Sequence, residues 1–323
     1  MDTNTSPHVV VTGGAGFIGS HLVERLLVDG RRVSVIDDCS TGTWTNLAKV
    51  RNHPALRCLE TRVSDCRELA DLIAGAEAVY HLAAVVGVDL VMTSKIRTIH
   101  DNLHETEVVV AAAAQNRVPL VLASTSEVYG KSLKPLFSED DDLLIGAPQL
   151  SRWSYACSKL MDEFLALAYH KERNLPVVVV RFFNTVGPRQ IGQYGMVLPR
   201  FIAAARSGRP LQVFGDGLQT RCFCYVGDTV EAVVRLQRNH AAWGNVFNVG
   251  NSEEVSIKDL ALRVIQQVDP SGSVELVAYS QAYPSGFEDM LRRKPSIEKL
   301  VKATGFRPRT SLDEIIRLTV ASL

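Results

Sequence analysis

Short apolar runs alternate along the chain with longer segments whose apolar residues recur at helical spacing. Residues 8–12, HVVVT, are β-branched and lead into glycine, whereas residues 19–30 place three leucines on one helical face and end in glycine. The run RRVSVIDD at residues 31–38 predicts a second strand. This alternation is typical of a parallel sheet that is covered on both faces.

The alternation continues toward the middle of the chain. Residues 78–84, 119–124 and 176–184 are apolar strand-like runs, and residues 102–116 have the periodicity of a helix. Beyond Asn184 the pattern loosens into a loop, a helix and a short strand. We therefore predict an α/β fold, a Rossmann-type doubly wound parallel sheet with a smaller C-terminal α/β substrate domain.

The change of pattern predicts two domains, residues 1–182 and residues 183–323. Residues 222–248 contain a strand-like run followed by a helical one. We expect this segment to return to the first domain, so the two domains are not separated at a single position in the chain.

Composition restricts the classes of function. The chain has 323 residues, of which 46% are hydrophobic and 22% charged, so it can bury a normal core. The 35 basic and 35 acidic residues give a formal net charge of zero, which argues against a nucleic-acid partner. No run reaches the ~18 apolar residues of a membrane span, and we expect no secretory signal.

The cysteines form no Cys-x-x-Cys pair. Cys222 and Cys224 are two apart in a strand-like run, so we expect their side chains on one face, which suits neither zinc nor a disulfide. Reduced thiols, no bound metal and a cytoplasmic location are the expectation.

Three glycines, Gly13, Gly16 and Gly19, connect the first predicted strand to the first predicted helix. Glycine lets the backbone turn tightly and lets a pyrophosphate approach, while the helix N-terminus offers N–H groups to the anion. At the end of the next strand, Asp37 can accept hydrogen bonds from an adenosine ribose, with Asp38 nearby. A carboxylate there repels a 2′-phosphate, so the pattern predicts NAD rather than NADP.

Asp65 is a further candidate at the cofactor. It follows the segment CLETRVS and precedes a helical run. It can contact the adenine amino group or cap that helix, and the sequence leaves both open.

Tyr155 and Lys159 are four residues apart in SYACSKL, so in a helix they lie one turn apart on the same face. A free tyrosine has a pKa of about 10 and is a poor base at neutral pH. A nearby ammonium and an oxidised nicotinamide both favour the phenolate, which can then take the proton of an alcohol. With the glycine loop, the pair predicts oxidation of a hydroxyl group by NAD.

These motifs together resemble the extended short-chain dehydrogenase/reductase family of NAD-dependent nucleotide-sugar epimerases and dehydratases. The resemblance spans essentially the whole chain and rests on TGGAGFIGSHL, HLAA, STSEVYG, YACSK, RFFNTVGPR, GDGLQTRCF and NVGN. It implies a tightly bound and recycled NAD on the first domain and a UDP-sugar on the second. It also implies a catalytic triad of Thr125, Tyr155 and Lys159.

The resemblance assigns further residues to each ligand. Those expected at the cofactor are Gly13, Gly16, Phe17, Ile18, Gly19, Asp37, Asp38, Asp65, Ala83, Asn102, Tyr155 and Lys159. Those expected at the substrate are Val86, Asn184, Val197, Phe214, Arg221 and Arg293. Asn184 and Arg221 should hold the diphosphate, for which a guanidinium is a suitable donor. The residues around Val197 and Phe214 should hold the base.

Within the family, the pair Ser126-Glu127 resembles the UDP-glucuronate decarboxylases, the UDP-xylose synthases among them. The segment RRKPSI resembles their Arg-Lys-Pro segment and aligns Arg293 with their functional arginine. Oxidising C4 of glucuronate gives a β-keto acid, and a guanidinium can balance the negative charge as carbon dioxide leaves. We therefore expect decarboxylation of UDP-glucuronate through a 4-keto intermediate to a UDP-pentose, UDP-xylose. The expected catalytic residues are Thr125, Ser126, Glu127, Tyr155, Lys159 and Arg293.

Two features favour an alternative. UDP-xylose synthases typically have Tyr-Asp-Glu-Gly-Lys where this chain has YACSK, and GFEDMLRR resembles bacterial 4-epimerases. The alternative is a 4-epimerase that acts on a UDP-hexose or a UDP-hexuronate. Two residue roles also stay open: Glu127 can be a buried carboxylate bonded to the backbone or to a tyrosine, and Arg293 can contact only phosphate, since epimerases also use an arginine near this position.

Residues 101–116 and 152–173 predict two long helices that are amphipathic or alanine-rich. In the family that the chain resembles, two such helices from each subunit form a four-helix interface. The resemblance therefore implies a homodimer. The simpler explanation, that both helices only cover the sheet, stays open.

Overall fold

A computed structural model of the protein describes residues 6–85, 95–192, 196–282, 290 and 292–323. The strands are β1 (His8–Thr12), β2 (Arg32–Asp37), β3 (Leu56–Glu60), β4 (Ala78–His81), β5 (Leu120–Thr125), β6 (Val177–Phe182), β7 (Thr185–Val186), β8 (Leu211–Phe214), β9 (Thr220–Cys222), β10 (Cys224–Tyr225), β11 (Asn245–Val249), β12 (Glu254–Ser256) and β13 (Val274–Val277). The α-helices are α1 (Phe17–Val28), α2 (Leu69–Ala74), α3 (Lys95–Asn116), α4 (Trp153–Arg173), α5 (Val197–Arg206), α6 (Val226–Arg238), α7 (Ile257–Val268), α8 (Tyr279–Ala282), α9 (Glu298–Thr304) and α10 (Leu312–Val320).

Seven parallel strands form the main sheet in the order β3-β2-β1-β4-β5-β6-β11. The chain builds outward from β1 through β2 to β3 and then returns to place β4 on the other side of β1. Strand order therefore reverses between β1 and β4, and in such sheets ligands bind beyond the carboxyl ends of the strands at this point. The predicted Rossmann-type sheet is confirmed.

The apolar runs are continuous because both faces of the sheet are covered. In β1, Val9 and Val11 pack in one cluster with residues of α1 and α6. Val10, which points to the opposite face, packs with residues of α2 and α3. The sheet is thus the middle layer of three, and its loops at the carboxyl edge are left to form a site.

The C-terminal part has its own apolar cluster, built from α5, α7, α10 and β8 and centred on Phe201, Leu260 and Ile316. Strand β8 pairs in parallel with β13. The segment between these elements does return to the main sheet, because β11 pairs with β6 and α6 contacts α1. The division into two domains at residue 183 stays a prediction.

Helices α3 and α4 pack against each other and cover the sheet. Their outer surfaces nevertheless carry exposed apolar side chains, with Ile96 86%, Met161 50% and Phe164 62% exposed. The packing of these helices is therefore compatible both with a dimer interface and with helices that only cover the sheet. Within the described ranges, no helix is long and apolar enough to cross a membrane.

Candidate active site

A cavity of about 520 Å³ opens at the carboxyl edge of the sheet, next to the point where strand order reverses. The ends of β1, β2, β5 and β6 contribute to its wall, and Gln190, Ile191 and Met196 line it as well. The cavity brings together most of the residues selected from the sequence, namely Gly13, Gly16, Phe17, Ile18, Gly19, Asp37, Asp38, Ala83, Asn102, Thr125, Ser126, Glu127, Tyr155, Lys159, Asn184, Val197, Phe214, Arg221 and Arg293. Val86 lies outside the described residues.

The glycine loop lines the cavity at the start of α1 and packs tightly against neighbouring backbone. Gly13 has a φ of +72°, and a Cβ on it would lie 2.7 Å from the backbone nitrogen of Ala83. A Cβ on Gly19 would collide with the carbonyl oxygen of Gly13. Since α1 begins at Phe17, its first N–H groups face this space. The residues present therefore fit the pyrophosphate of NAD.

Asp37 is buried at the end of β2, beside the glycine loop. Its Oδ2 accepts a hydrogen bond of 2.8 Å from the Ala15 backbone, and its Oδ1 accepts one of 2.8 Å from the Cys39 backbone. Burial raises the pKa of Asp37, while these two bonds oppose the rise. The carboxylate keeps acceptor positions for a ribose because each oxygen has two lone pairs. Asp38 is exposed at the rim, where it accepts from the Ser40 backbone.

Asp65 does not reach this cavity. Its side chain is exposed, and the N-cap of α2 is Glu68, so neither role considered for Asp65 is supported. Arg62 and Val63 line the cavity instead. Asp65 lies in the tight turns after β3, where its amide donates to the Arg62 carbonyl at 3.2 Å.

Thr125 and Tyr155 meet at the end of β5. Thr125 caps a 3-10 helix over residues 126–129, and its Oγ1 accepts a hydrogen bond of 3.2 Å from the Glu127 backbone. The Thr125 hydroxyl also forms a hydrogen bond with the Tyr155 phenol. Ser126 is buried directly behind Thr125. A hydroxyl group of a substrate placed here would lie between the threonine and the phenol.

The protein alone does not favour the Tyr155 phenolate, contrary to expectation. Burial raises the pKa of Tyr155, and the negative charges of Glu127 and Asp162 raise it further, whereas the bond to Thr125 and the charge of Arg293 lower it. The Lys159 ammonium, expected to lower it, is paired with Asp162 at 2.7 Å. The positive charge of an oxidised nicotinamide is then what remains to favour ionisation.

Asn102 connects α3 to the catalytic helix. Its Oδ1 accepts a hydrogen bond of 2.7 Å from the Val85 backbone, and its Nδ2 donates to Ser158 Oγ at 3.3 Å. Ser158 in turn donates to the carbonyl of Tyr155 at 2.9 Å. Asn102 therefore fixes Val85, which lies just after β4, relative to α4, and Val85 and Tyr155 both line the cavity.

Glu127 lies between two arginines. Its Oε1 is 3.0 Å from Arg293 Nη2, and its Oε2 pairs with Arg152 Nη1. All three side chains are largely buried, with 14%, 11% and 6% of their surfaces exposed. Burial alone would raise the pKa of Glu127, but the charges of Arg152 and Arg293 outweigh it and lower this pKa to about 2. Glu127 is therefore an ionised carboxylate at neutral pH.

Sequence reasoning did not select Arg152. The signal available was its position three residues before Tyr155, in the turn that begins α4. That spacing places an arginine near the tyrosine, but it does not indicate that the side chain turns toward Glu127 on another element.

The far end of the cavity carries the residues expected at a nucleotide. Arg293 Nη1 donates to Asn184 Oδ1 at 3.3 Å, and Asn184 Nδ2 donates to the carbonyl of Cys222 at 2.9 Å. The guanidinium of Arg200 lies 4.1 Å from the ring centroid of Phe214. Arg221 lines the same region. A diphosphate and a base can thus lie in line with the tyrosine and the glycine loop.

The described part of the chain holds no group of three or more His, Cys, Asp or Glu side chains arranged for a metal ion. The six cysteines, all of them described, are free thiols. Cys222 and Cys224 are both buried.

A sequence model of the NAD dependent epimerase/dehydratase family matches residues 9–250, and the chain belongs to this family. The chain is 40% identical over 316 residues to the UDP-N-acetyl-alpha-D-glucosaminuronate decarboxylase of Bacillus cytotoxicus, covering 96% of each protein. It is 34% identical over 308 residues to UDP-glucuronic acid decarboxylase 1 of Arabidopsis thaliana, covering 95% of this chain and 67% of that protein.

Solved structures share the fold over nearly the whole length. The UDP-glucuronic acid 4-epimerase from Bacillus cereus, solved in complex with UDP-glucuronic acid and NAD, is 28% identical with a TM-score of 0.87 over 98% of each chain. The predicted family is thus confirmed, and its relatives include both decarboxylases and a 4-epimerase.

Proposed function

We propose that the protein catalyses the NAD-dependent decarboxylation of a UDP-hexuronate, UDP-glucuronate, through a 4-keto intermediate to a UDP-pentose, UDP-xylose. The observation that carries this proposal is the pairing of Glu127 with both Arg152 and Arg293 beside Tyr155. The curated relatives that are named as UDP-uronate decarboxylases support it.

The charges of this group suit an acidic sugar. Arg152 and Arg293 bring two guanidinium groups to one place in the cavity, and a guanidinium is a strong hydrogen-bond donor to a carboxylate. A neutral hexose has no carboxylate to accept such charge-assisted bonds. Arg152 and Arg293 therefore favour a uronate over a hexose.

The same charges suit the loss of carbon dioxide. After oxidation at C4, the bond between C5 and C6 breaks, and its electron pair moves into an enolate with the C4 oxygen. The negative charge thus moves from the C6 carboxylate to the C4 oxygen beside Tyr155, where the charge of Arg293 also acts, and fixed cations stabilise such charge without reorganisation. A proton then adds at C5, and reduction at C4 gives the pentose.

The chain's own residues divide the proton transfers. Thr125 orients the C4 hydroxyl, and Tyr155 takes its proton and returns it. Glu127 is ionised, so its role is to hold the two arginines apart and in place rather than to donate a proton. NAD supplies the chemistry of accepting and returning the C4 hydride.

The experiment is to incubate the protein with UDP-glucuronate and follow the sugar by proton NMR while trapping carbon dioxide. UDP-glucose and UDP-N-acetylglucosaminuronate are run in parallel. We expect carbon dioxide and a UDP-pentose from UDP-glucuronate and no turnover of UDP-glucose. Conversion of UDP-glucuronate to UDP-galacturonate without carbon dioxide would establish the 4-epimerase instead, the activity named for a structural relative.

Variants separate the carboxylate site from the oxidation site. Arg293→Ala, Arg152→Ala and Glu127→Ala should lose carbon dioxide release more than reduction of the bound cofactor. Arg292→Ala is the matched control, because Arg292 precedes Arg293 but is 49% exposed and pairs with Glu254 outside the cavity. Equal losses in Arg292→Ala and Arg293→Ala would refute the role of the guanidinium pair.

We further propose that NAD is tightly bound and recycled, since the overall reaction is redox-neutral. Asp37 at the end of β2 supports NAD over NADP, because a 2′-phosphate would meet its charge. Protein purified without added cofactor should release NAD on denaturation. Release of NADP alone would contradict the role given to Asp37.

A homodimer and a cytoplasmic location complete the proposal. The exposed apolar side chains on α3 and α4 support pairing of these helices between two copies. Free thiols and a UDP-sugar substrate are consistent with the cytoplasm. Light scattering at micromolar concentration tests the dimer, and a monomeric mass would count against it.

A further inference from the structure

A buried carboxylate that the proposed mechanism does not use lies beneath the catalytic residues. Asp162 is fully buried on α4, and its Oδ2 lies 2.7 Å from the Lys159 ammonium. The next residue, Glu163, is buried as well, but it pairs with Arg181 at 2.8 Å. Asp162 is thus the carboxylate committed to the lysine.

Asp162 also belongs to a buried polar cluster that extends to Thr12 at the end of β1. Burial raises the pKa of Asp162, while the charge of Lys159 and the hydroxyl of Thr106 on α3 oppose the rise. The Thr106 hydroxyl lies 3.2 Å from His81 Nε2, and His81 Nδ1 lies 2.7 Å from the hydroxyl of Thr12 at the end of β1. Burial and the charge of Lys159 lower the pKa of His81 to about 3, so this imidazole is neutral.

Tyr155, Lys159 and Asp162 share one face of α4 because they are spaced four and three residues apart. Lys159 thus stands between Tyr155 and Asp162 along the helix, and its ammonium contacts the carboxylate. An ammonium in contact with a carboxylate exerts a much weaker field at a distance than an ammonium alone.

We propose that Asp162 is a positioning residue that anchors the Lys159 ammonium and limits its effect on the Tyr155 phenol. The phenol then stays protonated until a second positive charge, that of the oxidised cofactor, lies beside it. Tyr155 can accordingly act as a base when the cofactor is oxidised and as an acid once it is reduced. This inference rests on the proposed oxidation at C4, but not on the loss of the C6 carboxylate.

Several charged groups act on the phenol, and the test must keep them constant. Lys159 and Asp162 face it from α4, Arg152 lies at the start of that helix, and Glu127 and Arg293 face it from the loops after β5 and before α9. Removing the charge of Asp162 alone should favour the phenolate. The helical rise places residues seven apart about 10 Å from each other, and at an effective dielectric constant of about 20 one charge at that distance shifts a pKa by roughly one unit.

The experiment is to titrate the phenolate absorbance of the NAD-bound protein, taking the difference from its Tyr155→Phe variant, in wild type and in Asp162→Asn. We expect the midpoint in Asp162→Asn to fall by about one pH unit. The acid limb of cofactor reduction by UDP-glucuronate should move by the same amount. The titration needs no turnover, so it stays readable even if the proposed decarboxylation proves wrong.

Thr106→Val is the matched control, because it removes a buried hydroxyl from the same cluster without removing a charge. It should lower stability and leave the midpoint in place, and Asp162→Glu should keep the wild-type midpoint. If Asp162→Asn does not fold, Asp162→Ser makes the same prediction. An unchanged midpoint in the neutral variant, or an equal shift in Thr106→Val, would overturn the proposal.

Discussion

Replacing Glu127 by glutamine removes a carboxylate that pairs with both Arg152 and Arg293 while preserving the shape of the side chain. The pKa of Glu127 is lowered from 4.5 to about 2 in the folded protein. That difference corresponds to roughly 3 kcal/mol in favour of the ionised side chain. The size agrees with the cost of about 3–5 kcal/mol for breaking a buried ion pair by removing one partner.

The sign of the pH dependence follows from the lowered pKa. A group whose pKa is depressed on folding stabilises the protein above its unfolded pKa, here 4.5, and this contribution is lost as pH falls toward 2. Glu127→Gln should therefore be about 3 kcal/mol less stable than wild type at pH 7. Below pH 4.5 the difference should narrow, because wild type loses its contribution and the amide has none to lose.

Urea unfolding measures this, with both proteins saturated with NAD, in steps from pH 7 down to the lowest pH at which both fold. Glu314→Gln is the control, since Glu314 pairs with Arg317 on the surface of α10 and should give no measurable change. A stability difference that stays constant across the acid range would show that Glu127 is not held ionised by the arginines.

Three further predictions concern the cofactor, the chemistry and the assembly. Tyr155→Phe should lower product formation by roughly 10²–10⁴ with bound NAD retained, and near wild-type rates would remove Tyr155 from the mechanism. Gly13→Ala should lose most of its extractable NAD, since its Cβ would lie 2.7 Å from the Ala83 nitrogen at a φ of +72°; full NAD content would contradict the close approach. Phe164→Glu should halve the mass measured by light scattering, because it places a charge in the exposed apolar surface of α4, and an unchanged dimer would locate the interface elsewhere.

The spacing of apolar residues and glycines along the sequence was sufficient to predict the main sheet and the glycine loop of the cofactor site. The strands β1, β5 and β6 can be recognised in the sequence because strands covered on both faces have apolar residues at nearly every position. The glycines between β1 and α1 can be recognised because only glycine allows the close approach of the neighbouring backbone. The four-residue spacing of Tyr155 and Lys159 likewise follows from helix geometry alone.

The sequence pattern did not predict strand β3 or the position of Asp65. The residues of β3, LRCLE, are only partly buried at the edge of the sheet, so they lack a continuous apolar run. Asp65 lies in a series of tight turns, and a difference of a few residues decides which side chain faces the cavity. Periodicity carries no information about such turns.

The charged group at the sugar site depended on the tertiary structure. Ser126-Glu127 and Arg293 were identified by resemblance to the family. The position of Glu127 between Arg293 and Arg152 depends on the fold, because these three residues come from separate segments of the chain. The pairing of Lys159 with Asp162 also depends on the tertiary structure, and the raised pKa of Tyr155 results first from burial and then from the charges of Glu127 and Asp162. Sequence determines which charges are present, whereas the fold decides which of them lose their water and must find each other, and that desolvation sets their energies.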